Sequence, residues 1–378
     1  MVPFRALREP CAHLERRATR HDGGMDLDLL RAHRLRAHQL SAPARDAVAA
    51  AEHLGATQAQ EFWGGRWALA VRTAGAPTLR EVDAAFERGD LVRAWTQRGT
   101  LHIVASRDLA WILSVTGDRQ QRQYAASHRS LGITPDTLRG AERAIRPALA
   151  GGNRLTRAEF ADVLAAAGLD TSGMRGYHLL AALCLRGVTV LGPVVPRDGA
   201  PGRDQYVVAA DEWITEAATP ADPLAELFVR YLRGHGPASL ADFRWWTGLT
   251  LGLARAARDA AGDRVVEVEE GLFEESGTAD GPPPVPTGIF ALPPFEEYYI
   301  SYADRSVAGA PELRAAVGPS ANGQVKPILL DRGEVVGTWS HSLAVGRHHL
   351  DPVATMADGA RQSEVDAALA RFAAFLRG

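Results

Sequence analysis

Short capped helices followed by a pair of strand-like runs recur along the chain, and this recurrence constrains the fold more than any other feature. The segment "TLREVDAAFERGD" (78–90) opens on Thr78 with Glu81 three residues later, the spacing of a capping box. "LVRAWTQRGTLHIV" (91–104) then switches to alternating, β-rich character. Residues 154–186 repeat the helical part, opening on Thr156 and Glu159, and "GVTVLGPVVPRDGAPGRDQYVVA" (187–209) reads as strand, Gly/Pro-rich tip, strand. A third block, "DPLAELFVRYLRGHGPASLADFRWWTGL" (222–249), carries a helix ending at Gly234, a short helix capped by Ser239, and a bulky Trp245-Trp246 pair suited to a core or interface, with base stacking as the lesser alternative. Helices followed by a strand pair is the order of a winged helix-turn-helix. The expectation is an α+β chain with three such units in tandem.

The flanks complete the organisation. "DLDLLRAHRLRAHQL" (26–40) spaces Leu27, Leu30 and Leu35 helically and is expected to leave its arginines on the surface. A second helix at about 45–54 stops at Gly55. The Pro-rich "DGPPPVPTG" (280–288) marks a boundary, beyond which strands are joined by a turn at Asp331–Gly333. A terminal helix shows Val365, Leu369, Phe372 and Leu376 on one stripe. The predicted division is a flexible basic arm (1–24), three winged-helix units (25–130, 131–218 and 219–279) and a strand-rich region with a terminal helix (280–378).

Composition excludes several classes. At 378 residues with 46% hydrophobic and 23% charged content, the chain is globular. It shows no membrane-spanning run and no signal peptide. Two cysteines, Cys11 and Cys184, form neither a disulfide framework nor a metal cluster, and a cytoplasmic protein is expected. Lys326 is the sole lysine, so Schiff-base chemistry would rest on it or on the N-terminus. The His348–His349 pair lacks partners at metal-ligand spacing, and no glycine-rich phosphate loop follows a strand; neither a metal nor a cofactor is expected. The net charge is −3, but arginines crowd 5–45 and 119–157 while acids crowd 267–297, a distribution compatible with a polyanion meeting basic faces.

The segment "GATQAQEFWGG" (55–65) holds Gln58 and Gln60 two residues apart. On an α-helix the two side chains diverge by about 200°; on an extended segment both point to one side. The break at Gly55 favours the extended form, so both amides can enter one pocket. The residues alone favour a purely structural loop over that reading, because polar glutamines are common in loops.

Five segments in order, "LGATQAQEFWGGRWALAVRT", "RAWTQRGTLHIV", "YLRGHGPASLADFRWWTGL", "ALPPFEEYYISYADRS" and "ANGQVKPILLDRGEVVGTW", resemble the AlkZ/YcaQ-like winged-helix DNA glycosylases. The resemblance covers nearly all of 26–375. Gln58-Ala59-Gln60 fills the Gln-Φ-Gln signature of the AlkZ-like branch, with a small alanine in the middle. It implies three tandem winged-helix units and a C-terminal β-barrel, in the strand-rich region 280–378, in a C-shaped monomer. It implies too that Gln58 and Gln60 are catalytic, that Arg98, His102, Arg197 and Arg203 contact DNA (with a core role for His102 as the alternative), and that the partner is double-stranded DNA carrying an alkylated guanine. The implied activity is monofunctional excision of bulky N7-alkylguanine adducts or crosslinks, as self-resistance to a DNA-alkylating natural product. The competing class is a non-catalytic winged-helix protein, either a transcriptional regulator or a drug-sequestering factor.

Overall fold

The structure is a computed structural model that describes residues 25–278, 281, 283–342, 352–355 and 361–377; the N-terminal arm and the His348–His349 pair lie outside this set. Helix α1 (Leu27–Ala37) starts on Asp26, whose carboxylate accepts from the backbone of Asp28 and Leu29. Its arginines do not all face water: Arg31 and Arg34 are buried, donating to the carbonyls of Val307 (2.9 Å) and Pro237 (3.1 Å). Arg34 also lies 3.7 Å over the Tyr302 ring, so an aliphatic stem and a planar cation serve here as packing material.

Helix α2 (Ala47–Leu54) ends at Gly55, where φ is +75°, and the chain continues as the two-residue strand β1 (Thr57–Gln58). Helices α3 (Phe62–Val71) and α4 (Leu79–Glu87) follow, and the Thr78–Glu81 capping box forms. Strands β2 (Leu91–Gln97) and β3 (Thr100–Ala105) make an antiparallel hairpin, with Thr57 opposite Ile103 and Gln58 opposite His102 on its outer edge. After α5 (Leu109–Ser130), α6 (Pro135–Leu149), α7 (Arg157–Ala166) and α8 (Arg175–Leu185), the second hairpin is β4 (Thr189–Val194) and β5 (Gln205–Ala209). The two hairpins are not independent wings. Arg93 pairs with Leu191, and the strands merge into one sheet ordered β1-β3-β2-β4-β5. β2 is buried along its whole length, as a central strand must be, whereas a lone hairpin is marginal in water.

A short helix α9 (Ala210–Trp213) leads to α10 (Pro223–His235), α11 (Leu240–Thr247) and α12 (Leu251–Ala261), then to a separate hairpin of β6 (Val265–Glu269) and β7 (Leu272–Glu275). Gly234 lies inside α10 and does not end it. A Cβ there would stand 3.0 Å from Leu54 Cα and 3.1 Å from the His53 carbonyl, so glycine allows α10 and α2 to touch.

The C-terminal part comprises β8 (Ile289–Leu292), α13 (Glu297–Ile300), α14 (Pro311–Val317), β9 (Ile328–Asp331), β10 (Glu334–Ser340), β11 (Val353–Thr355) and α15 (Gln362–Arg377). Its strands form a four-stranded sheet ordered β11-β10-β9-β8, and among the described residues they do not close into a barrel. The expected turn joins β9 to β10, with Arg332 and Gly333 at positive φ. Along α15 the buried stripe is Val365, Leu369, Phe372 and Phe375. The larger Phe375 ring takes the inner place beside Trp67, at a centroid distance of 5.2 Å, and Leu376 is only partly covered.

One core joins the first and last parts of the chain. Trp63 meets Trp339 at 5.8 Å, Trp67 meets Phe372 at 5.2 Å, and the Trp67 and Trp339 indoles donate to the carbonyls of Ala291 and Leu292 at 2.7 Å. The C-terminal sheet and helix therefore sit directly against α3, the helix that follows Gln60.

Candidate active site

Gln58 occupies the outer edge of the first sheet, where one row of backbone groups has no strand partner. Its N–H is taken instead by the Glu297 carboxylate, at 2.6 Å. Extended backbone continues through Ala59, whose N–H donates to the Leu101 carbonyl at 2.8 Å. The middle residue is small for a steric reason. α3 runs so close behind it that a Cβ on Gly65 would collide with Ala59 and stand 2.8 Å from Ile103 Cδ1.

The two carboxamides are held from one hairpin. The Gln58 Oε1 accepts from Arg98 Nη2 at 2.9 Å, and the Gln60 Oε1 accepts from the Leu101 N–H at 3.3 Å. Guanidinium and peptide N–H groups only donate, so both amides must present their oxygens to the β2–β3 hairpin. The backbone of the motif is clamped as well: Arg93, buried on β2, donates to the carbonyls of Ala59 (2.8 Å) and Gln60 (3.1 Å). Burial and neighbouring arginines pull the Arg93 pKa down to about 9, which leaves it cationic at neutral pH.

Arg98 sits at the hairpin tip with φ +52°, beside Gly99 at +71°, the pair of left-handed residues that a tight two-residue turn requires. A non-glycine residue in that region is strained, and the surroundings must over-determine it. Helix α5 does so: Gln120 Oε1 accepts from the Gly99 N–H at 2.6 Å, and the Tyr124 hydroxyl donates to the Gly99 carbonyl at 3.0 Å. A second strained residue, Phe295 at φ +56°, leads into the turn that delivers Glu297. Strain on both sides of Gln58 marks this as a built position.

Behind Gln58 lies a buried polar nest. Glu297 Oε2 accepts from Trp246 Nε1 at 3.1 Å and from the Ser301 hydroxyl, and the His235 ring stands 3.5 Å away. Burial opposes ionisation of Glu297, yet His235 and Arg98 outweigh it and hold the pKa down to about 2. His102 is fully buried, with Nδ1 at 3.1 Å from the Thr100 carbonyl and 3.0 Å from Thr96 Oγ1. A carbonyl only accepts, so Nδ1 carries the proton and Nε2 is a bare acceptor. Burial, reinforced by Arg98, lowers its pKa to about 3. A phosphate does not reach a side chain with no exposed surface, so His102 takes the core role and not the DNA-contact role.

The surface outside the motif is a cleft of about 590 Å³ lined by Gln60, Trp63, Arg93, Arg157, Arg203 and the sole lysine, Lys326, among others. Its carboxylates are Glu61 and Asp204, the latter 3.4 Å from Arg203. Gln60 and Arg203, far apart in sequence, thus share one basic cleft. Gln58 does not line it and is only 7% exposed. Arg197, at the other side of the β4–β5 tip, is half-buried and does not line the cleft. Three arginines of 119–157 pair with carboxylates: Arg139 with Asp136, Arg146 with Glu142 and Asp211, and Arg154 with Glu87.

A model of the AlkZ-like DNA glycosylase family matches residues 51–375. The chain belongs to the AlkZ-like DNA glycosylases. It is 26% identical over 289 residues to the interstrand DNA cross-link repair glycosylase of Streptomyces sahachiroi, which covers 72% of this chain and 76% of that protein. The solved structure of the Streptomyces sahachiroi DNA glycosylase AlkZ is similar with a TM-score of 0.74 at 23% identity, over 93% of this chain and 96% of that one. The AlkZ-like chain is accordingly an enzyme, a DNA glycosylase acting on DNA, and the non-catalytic regulator class falls away. Among the described residues no group of His, Cys, Asp or Glu is placed to hold a metal ion, and no helix is long and apolar enough to cross a membrane.

Glu297 and Arg93 hold the backbone of the motif and were not singled out from the sequence. The Glu296–Glu297 pair closes the acid-rich run 267–297, but both are 1% exposed, and Glu296 pairs with the buried Arg72. The available signal was their setting between "ALPPF" and "YYIS": charges inside an apolar run are buried with partners or not at all.

Proposed function

We propose that this glycosylase hydrolyses the N-glycosidic bond of bulky N7-alkylguanines, crosslinked or not, with Gln58 and Gln60 steering the attacking water. The observation that carries the reading is the anchoring of both carboxamide oxygens by donors three residues apart, at residues 98 and 101 of one hairpin, with Gln60 on the wall of a basic cleft. A carbonyl oxygen has two lone pairs. Arg98 occupies one on Gln58 and fixes its direction, and the other is open to accept from a water.

Neutral amides suffice because of the leaving group. An N7-alkylated guanine is already cationic, so departure needs no protonation, and the remaining demands are exposing the base, placing the water and tolerating an oxocarbenium-like transition state. Placing a water supplies rate through proximity, without a strong base. The Glu297 carboxylate, held ionised behind Gln58, contributes potential of the sign that a developing oxocarbenium needs. The product is an abasic site with the strand intact. The cleft cations Arg157, Arg203 and Lys326 match a phosphate backbone. The winged-helix character of the helix–hairpin units, action as a monomer, a C-shaped body around the duplex, contacts from Arg197, a cytoplasmic location and a role in self-resistance complete this reading; the genes flanking the coding sequence test the last.

The deciding experiment compares wild type with the Gln58→Ala/Gln60→Ala double variant on a duplex bearing one N7-alkylguanine. Excision, read as alkali-labile breaks at the lesion under single-turnover conditions, is expected to fall by orders of magnitude. Affinity for the duplex should stay within a few-fold. Unchanged excision by the double variant removes the assignment.

A further inference from the structure

The adjacent tryptophans of α11 part company in the fold. Trp246 is wholly buried and tied to Glu297, whereas Trp245 leaves 44% of its surface exposed. A large indole left in water is unusual unless something covers it. Trp245 is not loose: its Nε1–H donates to the Ile300 carbonyl at 2.8 Å, which fixes the ring's direction. The same carbonyl lies 3.5 Å from Arg98 Nη1, and Arg98 Nη2 holds the Gln58 oxygen. One carbonyl and one guanidinium therefore separate an exposed, oriented aromatic ring from a proposed catalytic carboxamide.

The charge around the ring points to a polyanion. The Arg305 guanidinium stands 5.2 Å from the Trp245 centroid, half-buried and fixed by its bond to the Tyr299 carbonyl at 3.1 Å. Arg119 donates to the Gly248 carbonyl, one turn beyond Trp245, and Arg98 Cγ lies 3.6 Å from where a Gly248 Cβ would stand. Of the carboxylates nearby, Glu297 and Asp242 are buried, and the exposed Asp304 is engaged by the Ser306 N–H and hydroxyl. A π face framed by arginines is the composition of a base-stacking platform on a nucleic-acid path.

We propose that Trp245 is a stacking platform for a nucleobase displaced from the duplex next to Gln58. The proposal rests on the reading of Gln58 as a site residue, and it adds a recognition element outside the Gln-Φ-Gln motif. Stacking on an indole does not discriminate between bases, so the platform holds the opened strand while the carboxamides act. A displaced base recognised this way carries no hydrogen-bond code, and the site accepts planar lesions of differing size.

Two measurements test it. In single-turnover excision of a bulky N7-alkylguanine from a duplex, Trp245→Ala is expected to lose about 10- to 100-fold, the range for one lost base stack, while Trp245→Phe stays within about threefold of wild type. Indole fluorescence is then followed in the Gln58→Ala/Gln60→Ala protein, where no chemistry intervenes, as lesion duplex is added. Quenching should shrink clearly when Trp245→Phe is added to that background. Equal quenching with and without Trp245 overturns the proposal, as does wild-type excision by Trp245→Ala. Should the wild-type protein excise nothing, the function proposed above fails, and the quenching alone still decides whether a base stacks here.

Discussion

Acidification from pH 7 to pH 5.5 is expected to remove about 4 kcal/mol of stability through three histidines. His38 is wholly buried, with Nε2 2.9 Å from the Tyr302 hydroxyl and Nδ1 buried without a partner; burial, with His235 and Arg72 nearby, lowers its pKa well below the usual 6.5. Burial takes His53 down to about 4, against the pull of the Ala37 carbonyl 2.7 Å from its Nε2, and takes His102 down to about 3 with the help of Arg98. All three folded values lie below the unfolded one, so the unfolded chain takes up protons first as pH falls through 6.5. The folded state then loses ground, by about 1.4 kcal/mol per pH unit for each proton. Integrated from pH 7 to 5.5, this is about 1.3 kcal/mol per histidine, or about 4 kcal/mol for three. Glu297 does not offset the loss, since its contribution is complete above pH 4.5 and disappears only towards pH 2. Urea denaturation across this window reads the slope directly, and His102→Gln should reduce the total loss by about a third. Stability that is flat, or higher at pH 5.5, would refute the buried-histidine reasoning.

Two other substitutions probe the site. Glu297→Gln leaves one carboxamide oxygen among donors from Gln58, Trp246 and Ser301, so an N–H faces an N–H; urea midpoints at pH 7 should report a loss of about 2–4 kcal/mol, and excision by the folded variant should fall at least about tenfold as the Gln58 anchor loosens. Arg203→Glu and Arg157→Glu should each weaken binding to any duplex and lower the slope of log affinity against log salt by about 1, measured by titration at several salt concentrations; unaltered slopes would place the DNA path elsewhere.

Local chemistry in the sequence determined much of the fold. Thr78 with Glu81, Thr156 with Glu159 and Ser239 at its helix start are decided within one helical turn, and all three cap as expected. The break at Gly55 likewise determined that the chain leaves α2 as a strand through Gln58, but Gln60 falls in a bend beyond that strand, and the parity expected to bring both amides into one pocket puts only Gln60 on the cleft wall. What the sequence left open was every contact made across hundreds of residues. Nothing local tells that two hairpins about 100 residues apart will merge through Arg93 and Leu191, or that the edge N–H of Gln58 will be met by Glu297. The same applies to Arg31 and Arg34, polar by type but buried by the loops that fold over them, and to Trp245 and Trp246, identical neighbours divided by helix geometry into one outside and one inside. Tertiary structure decided these because burial, and with it ionisation and hydrogen-bond partnership, belongs to a position in space. The chemical identity of a residue sets only what that position can make of it.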